Sequence, residues 1–398
     1  MNNKKKDEDI FFLGPLYQIE DENEISKNVR GLMPSAAPNI FQWSLIKGIE
    51  QNLTHNIRII NSLPVGTWPN HYRHVFLKNE KWENGNGLSF EIGGINIPFL
   101  KQYTRYILTK RVLKREVNND TKIIIYSTYL PFLKAVKKIA SKAEITLIVT
   151  DLPEYYDLSS TSRVSAFMRN IQNRMLYKSM DRVDKFILLT EYMKEKLPIS
   201  NRPSLILEGV YNGEFSDICT TSKKIIFYAG TLRYVYGIKN LIEAFKGIED
   251  VEVELWICGS GEAEEELKEL AKVNSRVHFF GFCNQEQVAR LRSQATVLVN
   301  PRQNEGEYTK YSFPSKTMEY MASGKPVVMY KLDGIPNEYD EYLFYVNGCT
   351  SNDLKIQLEQ VLSQIDFANE KAKRAQEFIR NNKTAKIQGD RVFKFLNE

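Results

Sequence analysis

Twice along this chain, short apolar runs alternate with amphipathic stretches, and that alternation restricts the fold more than any other feature. In the first half the runs fall at 10–13, 57–60, 122–126, 145–150, 185–189 and 204–207, with helical spacing at 39–50, 132–140 and 163–177 between them. A second series places strands at 225–228, 253–257, 277–280, 296–300 and 326–329, separated by helices at 238–245, 262–271, 285–293 and 318–322. Strands buried on both faces read as continuous apolar runs, and short joints to helices imply right-handed crossovers in parallel sheets. Two such series, in a chain of 398 residues, predict two facing Rossmann-like, doubly wound α/β domains with a central cleft. We place the first domain at 1–207 and the second at 208–374, with a linker near 208–221. The last helical stretch, about 375–398, is expected to pack back on the first domain. Residues 64–98, rich in Gly, Pro, Asn, His and Trp, read as a long irregular insertion.

Charge is unevenly divided. Residues 1–206 hold 30 Lys+Arg against 21 Asp+Glu, a balance of +9, and 207–398 hold 24 against 28, a balance of −4. The basic excess of the first half suits an anionic partner, either a lipid surface or a phosphate-bearing acceptor. Nucleic acid is not expected, because no zinc finger, RNP-like strand or aromatic-basic interleaving is present. Segment 99–117 places Lys101/Arg105, Lys110/Lys114 and Arg111/Arg115 at i,i+4 among apolar residues, as in a helix lying on an anionic leaflet or in one with a solvated face. No apolar run is long enough to span a bilayer, and residues 1–10 lack a secretory signal; the expected location is the cytoplasm. Cys219, Cys258, Cys283 and Cys349 show no metal-binding spacing and read as reduced, mostly buried thiols. His55, His71, His74 and His278 show no ligand spacing either, and no metal or other cofactor is expected.

In open α/β sheets, ligands sit beyond the carboxyl ends of the strands, where helix N-termini and glycine turns present free amides to anions. Three turns of the second half have this character. Gly230, Thr231 and Arg233 follow the strand at 225–228, and Gly259 and Gly261 follow the strand at 253–257. The third turn lies beyond Arg302, where Ser312, Phe313, Pro314, Ser315, Lys316 and Thr317 lead into a short helix closed by Gly324. Proline suits a first helical turn and glycine the C′ position. The amides near 315–317 would donate to a diphosphate, Lys316 would add a point charge, and Glu319, one turn on, would take the ribose hydroxyls. A carboxylate on an ordinary surface helix is the plainer reading of Glu319.

The segments FPSKTMEYMASGKPVV (313–328), YAGTLRYVYGIKNLIEAF (228–245) and LWICGSG (255–261) resemble retaining family 4 glycosyltransferases of the GT-B fold, bacterial capsule or exopolysaccharide type. The likeness is strong over 224–347 and weaker over the first half, notably IVTDLPEY (148–155). It implies transfer of a hexosyl or N-acetylhexosaminyl unit from a nucleotide diphosphate sugar to a hydroxyl acceptor, with retention and without a metal. It also implies a lipid-linked glycan acceptor, and with it a place at the inner face of the cytoplasmic membrane, and a role in surface polysaccharide assembly; a homodimer or a partner subunit is a further association left open by the sequence. The ribose-binding glutamate corresponds to Glu319. The family's other glutamate, eight positions earlier, would fall at Tyr311, so Glu305, Glu307 or Ser312 would have to replace it.

The family's arginine and lysine phosphate clamp would align with Thr231 and Tyr236, which leaves Arg233, Lys316 and Arg302 as substitutes. Phe282 completes the expected donor-binding set. In the first half Asp151 stands where family members often carry histidine. It reads either as a catalytic carboxylate beside an oxocarbenium-like transition state or as a turn residue, with Glu154 as its rival. Gly14, Ser35, Ala36 and Ala37 would let phosphates or acceptor approach the backbone closely. Two other readings stay open: a GT-B sugar nucleotide epimerase, and a catalytically silent partner subunit.

Overall fold

The computed structural model describes residues 7–31, 33–34, 36–139, 142–155, 163–215 and 223–398. It divides into two compact units, Met1–Val210 with Ala385–Glu398, and Tyr211–Thr384.

The first unit runs β1 (Ile10–Gly14), α1 (Glu22–Asn28), α2 (Ala36–Glu50), β2 (Arg58–Asn61), β3 (Phe76–Leu77), β4 (Glu80–Asn84), β5 (Gly87–Glu91), β6 (Gly94–Ile95), α3 (Leu100–Glu116), β7 (Thr121–Tyr126), α4 (Leu130–Val136), β8 (Ala143–Val149), α5 (Arg163–Ser179), β9 (Lys185–Leu188) and β10 (Ser204–Ile206). Its main sheet has the order β10-β9-β8-β7-β1-β2-β5-β4. All pairings are parallel except the β4/β5 hairpin. Because β1 continues to β2 on one side and β7 lies on its other side, the strand order reverses at β1, where crevices form in such sheets.

The hairpin corrects the reading of 64–98 as irregular. Asn84 pairs with Gly87 across a two-residue turn, and Gly85 has φ +56°. Gly85-Asn86 is the central pair, and only its first residue takes positive φ, the place where two-residue hairpin turns favour glycine. The turn is tied down by Asn56, whose amide donates to Asn86 Oδ1 at 2.7 Å, and Trp82 Nε1 donates to Asn61 Oδ1 at 3.2 Å. A second small ladder pairs β3 with β6.

The second unit contains β11 (Lys224–Ala229), α6 (Ile238–Lys246), β12 (Val253–Cys258), α7 (Glu264–Val273), β13 (Val277–Phe279), α8 (Gln285–Gln294), β14 (Val297–Asn300), α9 (Ser315–Ala322), β15 (Val327–Met329), β16 (Phe344–Tyr345), α10 (Ser351–Ser363) and α11 (Ile365–Asn382). The wholly parallel order β13-β12-β11-β14-β15-β16 is that of a dinucleotide-binding sheet. Alternate β11 residues serve opposite faces. Ile226 and Tyr228 pack with Ile238, Leu241 and Phe245 of α6 and Leu354 of α10, whereas Ile225 and Phe227 join the cluster of Met318, Tyr320 and Met321 of α9 and Ile379 of α11. Burial on both sides explains why the strand reads as an unbroken apolar run.

After α11 the chain returns to the first unit as α12 (Ala385–Leu396), where Val392, Phe393, Phe395 and Leu396 enter the core with Leu45, Ile46 and Ile49 of α2. The helices meet at Gly48 and Gly389. A Cβ on Gly48 would stand 2.0 Å from the Ala385 carbonyl oxygen, so only glycine permits this approach. Lys185 Nζ donates to the carbonyls of Phe395 and Leu396 at 3.1 and 3.3 Å, closing the helix end. Of the stretch expected to pack back, 385–396 lies in the first unit, while 375–382 belongs to α11 and packs in the second.

Candidate functional site

In the second unit the carboxyl ends of β11, β12 and β14 bring three loops together. The Gly230 amide donates to the Cys258 carbonyl at 2.9 Å, the Leu232 amide to Ser260 at 2.9 Å, and the Gly259 amide to Gly281 at 2.7 Å. Gly259 has φ +143°, and a Cβ there would lie 1.8 Å from the Gly230 carbonyl oxygen. Glycine is therefore what lets the first two turns stack.

Above them begins α9. Tyr320, fully buried, anchors it by accepting from the Ala229 amide at 3.1 Å. Thr317, Met318, Tyr320 and Met321 face inward, which turns Lys316 and Glu319 together toward the strand ends. Lys316 reaches over Gly230: its ammonium lies 4.7 Å from the Tyr228 ring centre and 3.4 Å from the Tyr228 hydroxyl. Its side chain occupies the place of a Gly230 Cβ. Burial lowers the Lys316 pKa from 10.5 to about 8, against the raising influence of Glu319 and Cys258.

Helix α9 starts at Ser315 with Pro314 at the cap, one position outside the first-turn place expected for the proline, and no side chain caps it. Thr317 is not free for a ligand as expected, because its amide donates to the Pro314 carbonyl at 2.8 Å. The amides of Ser315 and Lys316, in the first turn, have no intrahelical acceptor. Gly324, with φ +69°, ends the helix as read from the sequence.

The remaining expected donor residues divide. Arg302 Nη2 donates to Ser312 Oγ at 3.3 Å, and its guanidinium sits 5.7 Å from the Tyr236 ring and 5.0 Å from the Tyr308 ring. Its Nε is buried and lacks a hydrogen-bond partner among the described residues. Phe313 is a core residue, 5.4 Å from the Tyr339 ring, and its side chain is not presented to a ligand. Thr231, Gly261 and Arg233 are exposed, and the Arg233 guanidinium lies 5.8 Å from the Tyr236 ring. Phe282 stands out at 80% exposure just past Gly281, where no neighbour crowds the backbone.

Glu319 lies 4.0 Å from Arg292, with 53% of its side chain open. Nearby protein pushes its carboxyl upward, and Arg292 and Lys316 oppose this. Since over half of the side chain meets water, that push is strongly screened. At the position of the missing glutamate, Tyr311 is buried and donates to Glu307 Oε1 at 3.0 Å. Glu305 and Glu307 are exposed, and Ser312 is engaged by Arg302. Of the thiols, Cys258 is buried, Cys283 half-buried and Cys349 exposed, so the expectation of mostly buried thiols is too broad; Cys219 lies outside the described residues.

In the first unit Asp151 follows β8. Protein around its carboxyl raises the pKa and a hydrogen bond from Thr150 opposes this, although the residue as a whole is exposed. Glu154 accepts from the Tyr177 hydroxyl at 2.5 Å and is thereby committed to α5. Gly14 makes room for Gln42, whose Oε1 would lie 2.0 Å from a Cβ there, so its smallness serves packing rather than a ligand. Ala36 and Ala37 are exposed in the first turn of α2, which starts three residues before the expected 39, and Ser35 lies outside the described residues. The membrane reading of the basic helix fails for two of its residues: Lys101 and Arg105 are buried at 7% and 3% exposure. Sequence reading missed Tyr228, Tyr236 and Tyr308, whose rings hold the basic side chains. Their only signal was their place at strand ends and in the polar loop.

Among the described residues no group of three His, Cys, Asp or Glu is placed to hold a metal, and no helix is long and apolar enough to cross a membrane. Residues 218–383 match the family model "Glycosyl transferases group 1". No curated protein matches the chain. Among solved structures, it is similar to sucrose-phosphate synthase from Thermosynechococcus elongatus, with TM-score 0.66 and 14% identity over 98% of both chains. HepE from Anabaena, in complex with UDP, is similar at TM-score 0.62 and 13% identity, over 98% of this chain and 99% of that one. An α,α-trehalose-phosphate synthase (UDP-forming) from Burkholderia xenovorans, in complex with glucose-6-phosphate, gives 0.65 and 11%, over 98% of this chain and 100% of that one. At such identities the likeness speaks for the fold, which is GT-B, and the second unit carries a group 1 glycosyltransferase domain.

Proposed function

We propose that this chain transfers a hexosyl or N-acetylhexosaminyl unit from a nucleoside diphosphate sugar to a hydroxyl acceptor, with retention at the anomeric carbon. One observation carries the reading: Lys316, held over Gly230 beside the open first turn of α9, offers a cation and free amides at the strand ends of a dinucleotide-type sheet. The bond between the anomeric carbon and the β-phosphate oxygen breaks, leaving charge on the diphosphate, which Lys316, Arg302 and the helix dipole stabilise. The acceptor hydroxyl forms the new bond and releases its proton. Glu319 takes the ribose, and Phe282 lies at the rim for the base. The acceptor belongs to the first unit, where Asp151 stabilises positive charge on the ring or takes that proton.

The UDP named with HepE, and the UDP-forming activity named for the trehalose-phosphate synthase, support UDP as the first nucleotide to test. A lipid-linked glycan acceptor and the inner membrane face extend the reading. They are supported by Phe76, Phe99 and Tyr103, exposed at 74%, 78% and 62% on the basic first unit. Tyr311 in place of a glutamate favours one competing role, that of a silent partner subunit. Purified protein supplied with membranes and radiolabelled UDP-sugars separates the two. Sugar incorporation supports transfer, UDP binding without turnover supports the silent subunit, and interconversion of the free nucleotide sugar would make the chain an epimerase.

A further inference from the structure

We propose that Lys101, Arg105 and Tyr129 form a receptor for a phosphate group of the acceptor, at the carboxyl edge of the first unit's sheet. The inward stripe of α3 is Lys101, Arg105, Thr109 and Leu113, and its first two members are cations. Lys101 Nζ donates to the Val65 carbonyl and, at 3.5 Å, to that of Gly66. Arg105 donates to the Leu63 carbonyl at 2.8 Å and to the Tyr129 hydroxyl at 2.9 Å. Neither forms an ion pair with a carboxylate among the described residues. Two like charges taken out of water without a counterion are costly, and neutral donors would hold the same carbonyls at less cost. An anion is the missing complement.

The placement agrees. The loop after β2 supplies Leu63, Val65 and Gly66, the loop after β7 supplies Tyr129, and β1 lies between those strands at the reversal of strand order. The two cations therefore span the place where open α/β sheets bind ligands. Arg105 Nε, and Ser62 Oγ in the residue before Leu63, are buried with no hydrogen-bond partner among the described residues. Leu63, Gly66, Ser127 and Tyr129 are only partly covered, which leaves a rim open to solvent. Burial, and then the Arg105 charge, bring the Lys101 pKa down to about 7, a position that a bound anion would reverse.

This inference rests on the reading that the first unit takes the acceptor. It adds that the acceptor is anionic, either a sugar phosphate in solution or a lipid-linked phosphate. The full chain is saturated with UDP, to fill the second unit's anion site, and its melting temperature is followed against sodium phosphate at constant ionic strength. The same titration is run on Lys316→Met, which removes that other site's cation. A saturable rise of several degrees is expected in both, lost in Lys101→Met and kept in Lys110→Met. Arg105→Lys, which keeps charge but not the two-pronged fork, should weaken it several-fold and serves if Lys101→Met does not fold. No saturable rise in the wild type, or one undiminished in Lys101→Met and Arg105→Lys, overturns the proposal. UDP stabilisation without a phosphate effect would leave the donor reading standing and remove only this one. Competition by a hexose monophosphate, against polyprenyl phosphate in neutral vesicles, then decides the source.

Discussion

Replacing Lys316 by methionine keeps most of the stem and removes the ammonium, and the structure sets opposite signs for its two consequences. Without a ligand the charged form is held in a partly desolvated place, and the fall in pKa from 10.5 to about 8 corresponds to roughly 3 kcal/mol against folding with the lysine charged. Unliganded Lys316→Met should therefore be as stable as the parent or more so. A diphosphate charge about 4 Å away would attract the ammonium by about 4 kcal/mol at an effective dielectric of 20. Hydrogen bonds to charged groups typically contribute a net ~1.5–3 kcal/mol, so UDP affinity should fall roughly ten- to hundredfold.

The dependence on pH gives a second check. Below about 8 both folded and unfolded chains hold the proton, and between about 8 and 10.5 the unfolded chain holds more. The stability of the unliganded protein thus gains from this residue as pH rises through that window, while UDP binding weakens above 8. Lys316→Met should lack both trends. Calorimetric UDP titrations and urea unfolding at pH 7 and 9 measure them. A variant that is less stable yet binds UDP as tightly as the parent would refute the argument.

Other outcomes follow from the same geometry. Glu319→Ala should weaken UDP by roughly tenfold or more while leaving inorganic pyrophosphate affinity unchanged, read by the same calorimetry. Asp151→Asn should lower turnover roughly a hundredfold or more with UDP affinity intact, in a radiolabelled transfer assay; equal turnover would make Asp151 a turn residue. Gly48→Val would drive a methyl into the Ala385 carbonyl, which a Cβ already meets at 2.0 Å. It should cost about 2–3 kcal/mol in urea unfolding of the first unit.

Much of the second unit was legible because its strands are buried on both faces and its glycines sit at strand ends, a pattern that few folds besides a doubly wound sheet produce. The β4/β5 hairpin was not, since Glu80, Lys81 and Glu83 mask the alternation around Trp82, although Gly85-Asn86 carried the turn signal. On α3 the charge spacing misled. Periodicity says that Lys101, Arg105 and Thr109 share a face, but which face is inward depends on carbonyls of 63–66, far away in sequence. Phe313 was misplaced for a related reason, because a motif locates a segment near a ligand without saying which of its side chains turn back toward Tyr339.

The return of α12 to the first unit has a bearing on how the protein is made. Val392, Phe393, Phe395 and Leu396 fill a core whose other walls are encoded far upstream, so a nascent chain displays that apolar surface unfinished while the whole of Tyr211–Thr384 emerges from the ribosome. The later-encoded unit draws its whole interior from Tyr211–Thr384, whereas the earlier one must wait for α12. A released chain truncated short of residue 392 would present chaperones with a second unit whose core is complete and a first unit whose core is open.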